Sequence, residues 1–346
     1  MSNFSQEFSN QNKAILNQRI TNLDILRAIA ALMVCLVHFL RKPLYEGTLI
    51  WDIFQYGKHG VDIFFVISGY VIPLSLLKCR FKIGDIFLFL KSRFIRLYPA
   101  YFIAAFLTTG MWYFSYLMPG FRGEVVAPLG IERILANISL TCGFFHQEWY
   151  AFVAWSLAIE AQYYVLVALS FPLLIHRSPQ IRISILFMWM IAPLVAQTGP
   201  TVFSYTALFG MGILAFLLSE GLLTKIEFWI LMSLAVCVEW VTDRGPAGTL
   251  FALATSMAIL YLPKLKIPSM AWIGGISYSI YLLHVPFGGR VMNLLERFPN
   301  FPGIKLFSIP VAIGVSIVVA AVFYKFIEKP SHQFARYIKQ KSLTDI

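Results

Sequence analysis

A bundle of about ten transmembrane helices, all-α and with both termini on the cytoplasmic side, is the fold this sequence predicts. Three observations carry that expectation. The 346 residues are 58% hydrophobic and 13% charged, against the roughly 25% charged usual for soluble domains, and their mean hydropathy is +0.71. Ten apolar runs are of a length to cross a hydrocarbon core as helices. Lys and Arg gather in alternate connections, 18 of the 28 on the side shared by the two termini, which is the bias of cytoplasmic loops.

Residues 1–22 read as a polar cytoplasmic tail. Met1 to Thr21 is rich in Asn, Gln and Ser and has no apolar central run of the kind a cleavable signal carries. The runs follow at about 23–40, 60–77, 98–118, 151–174, 183–199, 201–219, 228–243, 246–263, 271–289 and 304–327. Breakers punctuate them: Arg177-Ser178-Pro179, Gly199-Pro200, Gly245-Pro246, and Pro263 with Pro268. Residues 23–328 form one membrane domain on this reading, and 329–346 a basic cytoplasmic tail. Cys35, Cys79, Cys142 and Cys237 lie in or beside apolar runs without the spacing of a zinc or redox motif, and read as packing residues. The histidines are scattered, so no metal is implied. The net charge of +11 fits topology and contact with membrane lipids rather than nucleic-acid binding.

Chemistry-bearing residues stand out because an ionisable group inside a span is costly and is by default a functional candidate. Arg27 and His38 are eleven residues apart in the first run, nearly three helical turns, so both project from one face with about 16 Å of axial rise between them. The predicted orientation puts Arg27 near the cytoplasmic end, His38 near the outer end, and Asp62 near the outer start of the second run. His38 and Asp62 are therefore expected at one level. Such a pair suits general-base chemistry, the carboxylate fixing the imidazole tautomer; a plain interhelical hydrogen bond is the alternative. Arg93 and Arg96 are neighbours on a helical face and suit a clamp on a phosphate, or the ordinary cytoplasmic excess of basic residues. Glu160 and Gln162 lie inside the fourth run, where a glutamate must be paired, hydrated or protonated. Ahead of them, Phe144, Phe145, His146, Trp149 and Tyr150 form either an interfacial belt or a stacking platform for a sugar ring. The ninth run adds a second intramembrane histidine, His284, with Pro286 placed to break its helix. The tenth ends at Glu328.

These residues resemble the ordered signatures of acyltransferase family 3 over nearly the whole chain. The signatures are Asp24-Ile-Leu-Arg27 with His38, Gly60-Val-Asp62 through Ser68-Gly69-Tyr70, Arg93-Phe-Ile-Arg96-Leu-Tyr98-Pro99, Trp155-Ser156-Leu-Ala-Ile-Glu160, Ser277-Tyr278-Ser-Ile-Tyr281-Leu-Leu-His284 and Phe326-Ile-Glu328-Lys-Pro330. The resemblance implies a membrane-bound O-acyltransferase of the O-antigen, exopolysaccharide and Nod-factor acetylase kind. Such an enzyme takes an acyl group from cytoplasmic acyl-CoA, with acetyl-CoA the expected co-substrate, and gives it to a hydroxyl of an envelope glycan or lipid-linked sugar. It also implies roles. Arg93 and Arg96 would hold CoA phosphates, Arg27 would line the passage, and His38, Asp62 and Glu160 would be the catalytic set, with His38 as general base or transiently acylated. Tyr98, Trp155, Ser156, Tyr281, His284 and Glu328 would support them. Ile25, Ala161 and Leu283 depart from the family pattern and bear on packing and acceptor choice. A separate partner protein or a homo-oligomer is compatible with this reading, and loops such as 119–148 would shape the acceptor site.

A transporter or flippase using the same intramembrane charges as a relay is the competing class. It lacks a detectable inverted repeat and leaves the arginine pair without a use.

Overall fold

The computed structural model describes residues 22–118, 130–196, 199–242, 245–263, 265–298, 300 and 303–344, and every regular element among them is helical. In an apolar chain this follows from the backbone: with no water to meet N–H and C=O groups, a helix satisfies them within one segment. In chain order, α1 is Asn22–Phe39, α2 Gly60–Lys78, α3 Ile86–Tyr116, α4 Ala154–Leu174, α5 Pro179–Val195, α6 Thr206–Ser219, α7 Lys225–Val241 and α8 Gly245–Tyr261. The ninth run is discontinuous, with α9 Pro268–Gly275, α10 Ser277–Leu283, a π-helical turn His284–Gly288 and α11 Gly289–Leu295. The last comprises α12 Ile304–Phe323, a second π-turn Tyr324–Glu328 and α13 Lys329–Thr344.

All ten runs are helical, but six helical stretches among the described residues are long and apolar enough to cross a membrane: Asn22–Phe39, Leu49–Lys78, Ile83–Tyr116, Ala154–Leu174, Val202–Ser219 and Ile304–Ile338. Helices α5, α7 and α8 have 17 residues each, about 25 Å, and the ninth run is cut by its π-turn. The expected tail after residue 328 continues as helix to Thr344. The polar segment 1–21 lies outside the described residues.

Helix α6 is buried all round from Thr206 to Leu217, as a helix that is apolar on every face must be. It packs on α2 through two glycines. A Cβ on Gly69 would stand 2.0 Å from the Phe209 carbonyl oxygen, and one on Gly212 would stand 2.0 Å from that of Val66. Backbones this close give the dispersion contact on which helix association in lipid depends.

Short helices Lys42–Tyr45 and Leu49–Phe54 and a 3₁₀ turn Gln55–His59 link α1 to α2. The end of this link runs back along α1: Gly57 abuts Met33 and Val37, and Gly60 abuts Ala30 and Val34. Helix α2 therefore starts about two turns short of the α1 C-terminus.

Candidate active site

A cavity of about 240 Å³ lies between α1, α2, α3, α4, α9, α10 and the final helix. Charged residues crowd the end at which α1 begins: Asp24, Arg27, Arg93, Arg96, Glu160, Glu328 and His332 all line it. Aliphatic, hydroxyl and aromatic groups line the rest, among them Val61, Ser156, Phe64, Tyr278 and Tyr281. The three arginines named from the sequence are thus brought together, and Glu160, Ser156, Tyr281 and Glu328 share their cavity.

Each arginine is held differently. Arg27 Nη1 donates to Asp24 Oδ1 at 3.2 Å. Arg93 Nη2 donates to Ser75 Oγ at 2.9 Å, and its guanidinium lies over the rings of Phe89 and Tyr164 at 5.3 and 5.6 Å. Arg96 Nε donates to His332 Nε2 at 3.2 Å. That bond makes Nε2 the unprotonated nitrogen, so its 3.5 Å approach to Glu328 Oε1 is not an ion pair in this state. The carboxylates are also occupied: Glu160 Oε1 accepts from Tyr164 OH at 2.6 Å and Ser68 Oγ at 3.2 Å, and buried Glu328 accepts from Ser279. Arg93 and Arg96 have no carboxylate bound to them among the described contacts, which leaves their charge available to an anionic ligand.

At the other end Tyr281 OH donates to the Val153 carbonyl at 3.0 Å and lies 2.6 Å from Ser156 Oγ. One turn further along, His284 is fully buried, and its Nε2 is 3.1 Å from Nδ1 of half-buried His38. The Phe152 ring meets the His38 ring edge-on, with centroids 6.0 Å apart. His38 therefore stands beyond the cavity lining, joined to it through His284 and Tyr281.

Asp62 departs from the expectation. It is 4% exposed and 2.8 Å from Nδ1 of His59, with Gly248 of α8 packed against the pair. Because the α1–α2 link runs back along α1, Asp62 sits about two turns lower than His38, and the imidazole against His38 is that of His284. Tyr98 and Trp155 stand apart from the cavity lining: Tyr98 stacks on Phe94 at 3.9 Å, and Trp155 packs on Phe65 and Tyr205. Gln162 ties α4 to the segment that leads into α6, donating to the Pro200 carbonyl and accepting from the Val202 N–H, each at 2.9 Å. Phe144 and Phe145 are exposed; part of the 119–148 loop, residues 119–129, lies outside the described residues. Cys35 and Cys142 are buried, but Cys237 is exposed and Cys79 only partly covered. No group of three or more His, Cys, Asp or Glu suited to a metal occurs among the described residues. Sequence reasoning missed His332, placed in the supposed tail, although its spacing of four from Glu328 puts both on one helical face.

A family model described as an acyltransferase domain matches residues 20–325, a span holding every cavity residue except Glu328 and His332. The chain belongs to the acyltransferase 3 family. Among its curated relatives, the chain is 27% identical to the O-acetyltransferase OatA of Staphylococcus aureus strain MRSA252, over 98% of this chain and 62% of that protein. It is 27% identical to OatA of strain NCTC 8325 over 94% of this chain and 59% of that protein. A putative O-acetyltransferase of strain COL is 27% identical over 90% of this chain and 57% of its own length. The chain thus spans about three fifths of the relatives it matches. No solved structure matches it.

Proposed function

We propose that this acyltransferase moves an acetyl group from cytoplasmic acetyl-CoA to a hydroxyl of a cell-envelope glycan or lipid-linked sugar. It would do so in the bacterial inner membrane, as a bundle crossing ten times with both termini in the cytoplasm. One observation carries the reading: a single cavity has Arg27, Arg93 and Arg96 at one end, and the Tyr281–His284–His38 chain begins at the other. The arginine end suits the phosphates of a CoA donor, and the relatives' name supports acetyl as the group moved. At the other end His38 accepts the acceptor hydroxyl proton as the oxygen attacks the thioester carbonyl. A C–O bond forms, the C–S bond breaks, and the imidazolium returns the proton to the CoA thiolate. Glu160, bonded to Tyr164 and Ser68, holds the wall of the donor cavity rather than touching His38. A separate partner protein or a second copy of the chain is compatible with this scheme.

The test incubates purified protein in nanodiscs with radiolabelled acetyl-CoA and an extract of envelope glycans and lipids. Label should pass to the extract with the wild type, vanish with His38→Ala, and require more donor with Arg93→Ala/Arg96→Ala. No transfer from acetyl-, succinyl- or longer acyl-CoA, together with no binding of CoA, refutes it.

A further inference from the structure

We infer that His284 is a positioning residue which, held by carbonyls of the preceding turn of its own helix, fixes the tautomer of His38 and makes Nε2 of His38 the reactive nitrogen. The inference rests on the reading of His38 as the base and goes beyond it, assigning the atom and the group that sets it.

His284 opens the break in the ninth run. Residues 284–288 form a π-turn, in which an N–H pairs with the carbonyl five residues back. Pro286 lies within it and has no N–H to give, while Gly289 N–H reaches the His284 carbonyl. The His284 ring turns back on the preceding turn: its Nδ1 lies 2.8 Å from the Tyr281 carbonyl oxygen and 3.1 Å from that of Ile280. Carbonyls only accept, so Nδ1 of His284 carries the proton and its Nε2 is bare.

The bare nitrogen then dictates the state of its neighbour. His38 Nδ1 is 3.1 Å from His284 Nε2 and 2.8 Å from the Val34 carbonyl oxygen. Both are acceptors, so His38 Nδ1 is the donor and its Nε2 is left with a free lone pair. Neutral histidine in water favours the opposite tautomer, so the environment imposes this one. The Arg41 guanidinium fixes the same backbone, donating to the carbonyls of His38 at 3.1 Å and Gly289 at 3.3 Å and so tying the end of α1 to the segment that follows the π-turn. The arrangement does by a second imidazole and backbone carbonyls what an aspartate does for a catalytic histidine elsewhere: it holds the ring and selects its tautomer. Of the charged groups nearby, Arg41 faces His38 from its backbone side, and Asp62 is committed to His59.

Two measurements test it. In ¹⁵N-histidine-labelled protein in nanodiscs, with signals assigned by loss in His38→Gln and His284→Gln, both histidines should show a protonated Nδ1 and an unprotonated Nε2. Kinetically, His284→Leu removes the acceptor and should lower kcat at least 100-fold while leaving KM for acetyl-CoA within about twofold, because the donor is held at the arginine end. His284→Gln, which restores a carbonyl acceptor, should recover part of the loss. An Nε2–H tautomer on His38 overturns the inference. So does a His284→Leu protein with wild-type kcat when His38→Ala has none. Transfer that survives His38→Ala overturns instead the reading on which the inference rests.

Discussion

Replacing Gly212 by alanine should separate α2 from α6, and the structure sets the scale of the effect. The new methyl would stand 2.0 Å from the Val66 carbonyl oxygen, 2.8 Å from the Tyr70 nitrogen and 2.9 Å from the Gly69 carbonyl carbon. The first distance is about 1.5 Å inside the optimum for non-bonded atoms. All three neighbours are backbone, so no side chain can swing aside, and the helices must part. Parting them loosens the Phe209 ring from Tyr163 at 3.9 Å and Phe65 at 4.7 Å. Overpacking costs about 1–3 kcal/mol, and with unyielding neighbours the upper end, about 3 kcal/mol, is expected. Gly69→Ala, which meets the Phe209 carbonyl at 2.0 Å, should cost the same. The double variant should cost far less than the sum, since one displacement relieves both clashes. Gly110 of α3 has nothing within 4 Å of its Cβ position, so Gly110→Ala serves as a control and should stabilise by roughly 0.5–1 kcal/mol through helix propensity. Unfolding in mixed micelles of rising SDS fraction, followed by loss of helical circular dichroism, measures all four. A Gly212→Ala protein within about 0.5 kcal/mol of the wild type would refute the close-contact account.

Other expectations follow from particular contacts. Removing Arg93 or Arg96 takes away charge-assisted hydrogen bonds of about 1.5–3 kcal/mol, so each alanine variant should raise KM for acetyl-CoA roughly 10- to 100-fold and change kcat little; steady-state kinetics decides. At the start of α7, Thr224 and Glu227 form a capping box, and Thr224→Ala should cost about 1 kcal/mol. The Thr224 N–H and hydroxyl hold the Glu227 carboxyl below its ordinary range. That part of the stability is present above the ordinary value and lost as pH falls through the lowered one, so the gap between wild type and Thr224→Ala should narrow on acidification in thermal melts. In the connection before α4, burial pushes the Cys142 thiol up to about 11, so almost no thiolate exists at pH 7. Intact mass after N-ethylmaleimide should show Cys142 unlabelled in the folded protein and labelled in SDS.

Much of the architecture was legible in one dimension. Each apolar run is helical in its described residues because length, polarity and breaker residues act locally, and Pro286 marked the place where the ninth run changes its winding. The convergence of Arg27, Arg93, Arg96 and Glu160 was foreshadowed by their being charged inside apolar runs, where a lined cavity is the tolerable surrounding. The extent of the final helix and the role of His332 were less visible, because a polar, basic stretch reads the same whether it ends a span or continues it along α3.

The pairing of His38 lay beyond the sequence. Asp62 is 24 positions away and of the right chemistry, while His284 is 246 away. The choice between them is made by the register of α2 on α1. Gly57 and Gly60 let the connecting segment press against Met33 and Ala30, which carries Asp62 down to His59 and leaves the place beside His38 to the π-turn. What a chain contributes locally, a helix here and a charge there, is set by composition and periodicity. Which buried polar groups meet depends on how far one helix slides along another before backbones touch, and that distance exists only in the folded bundle.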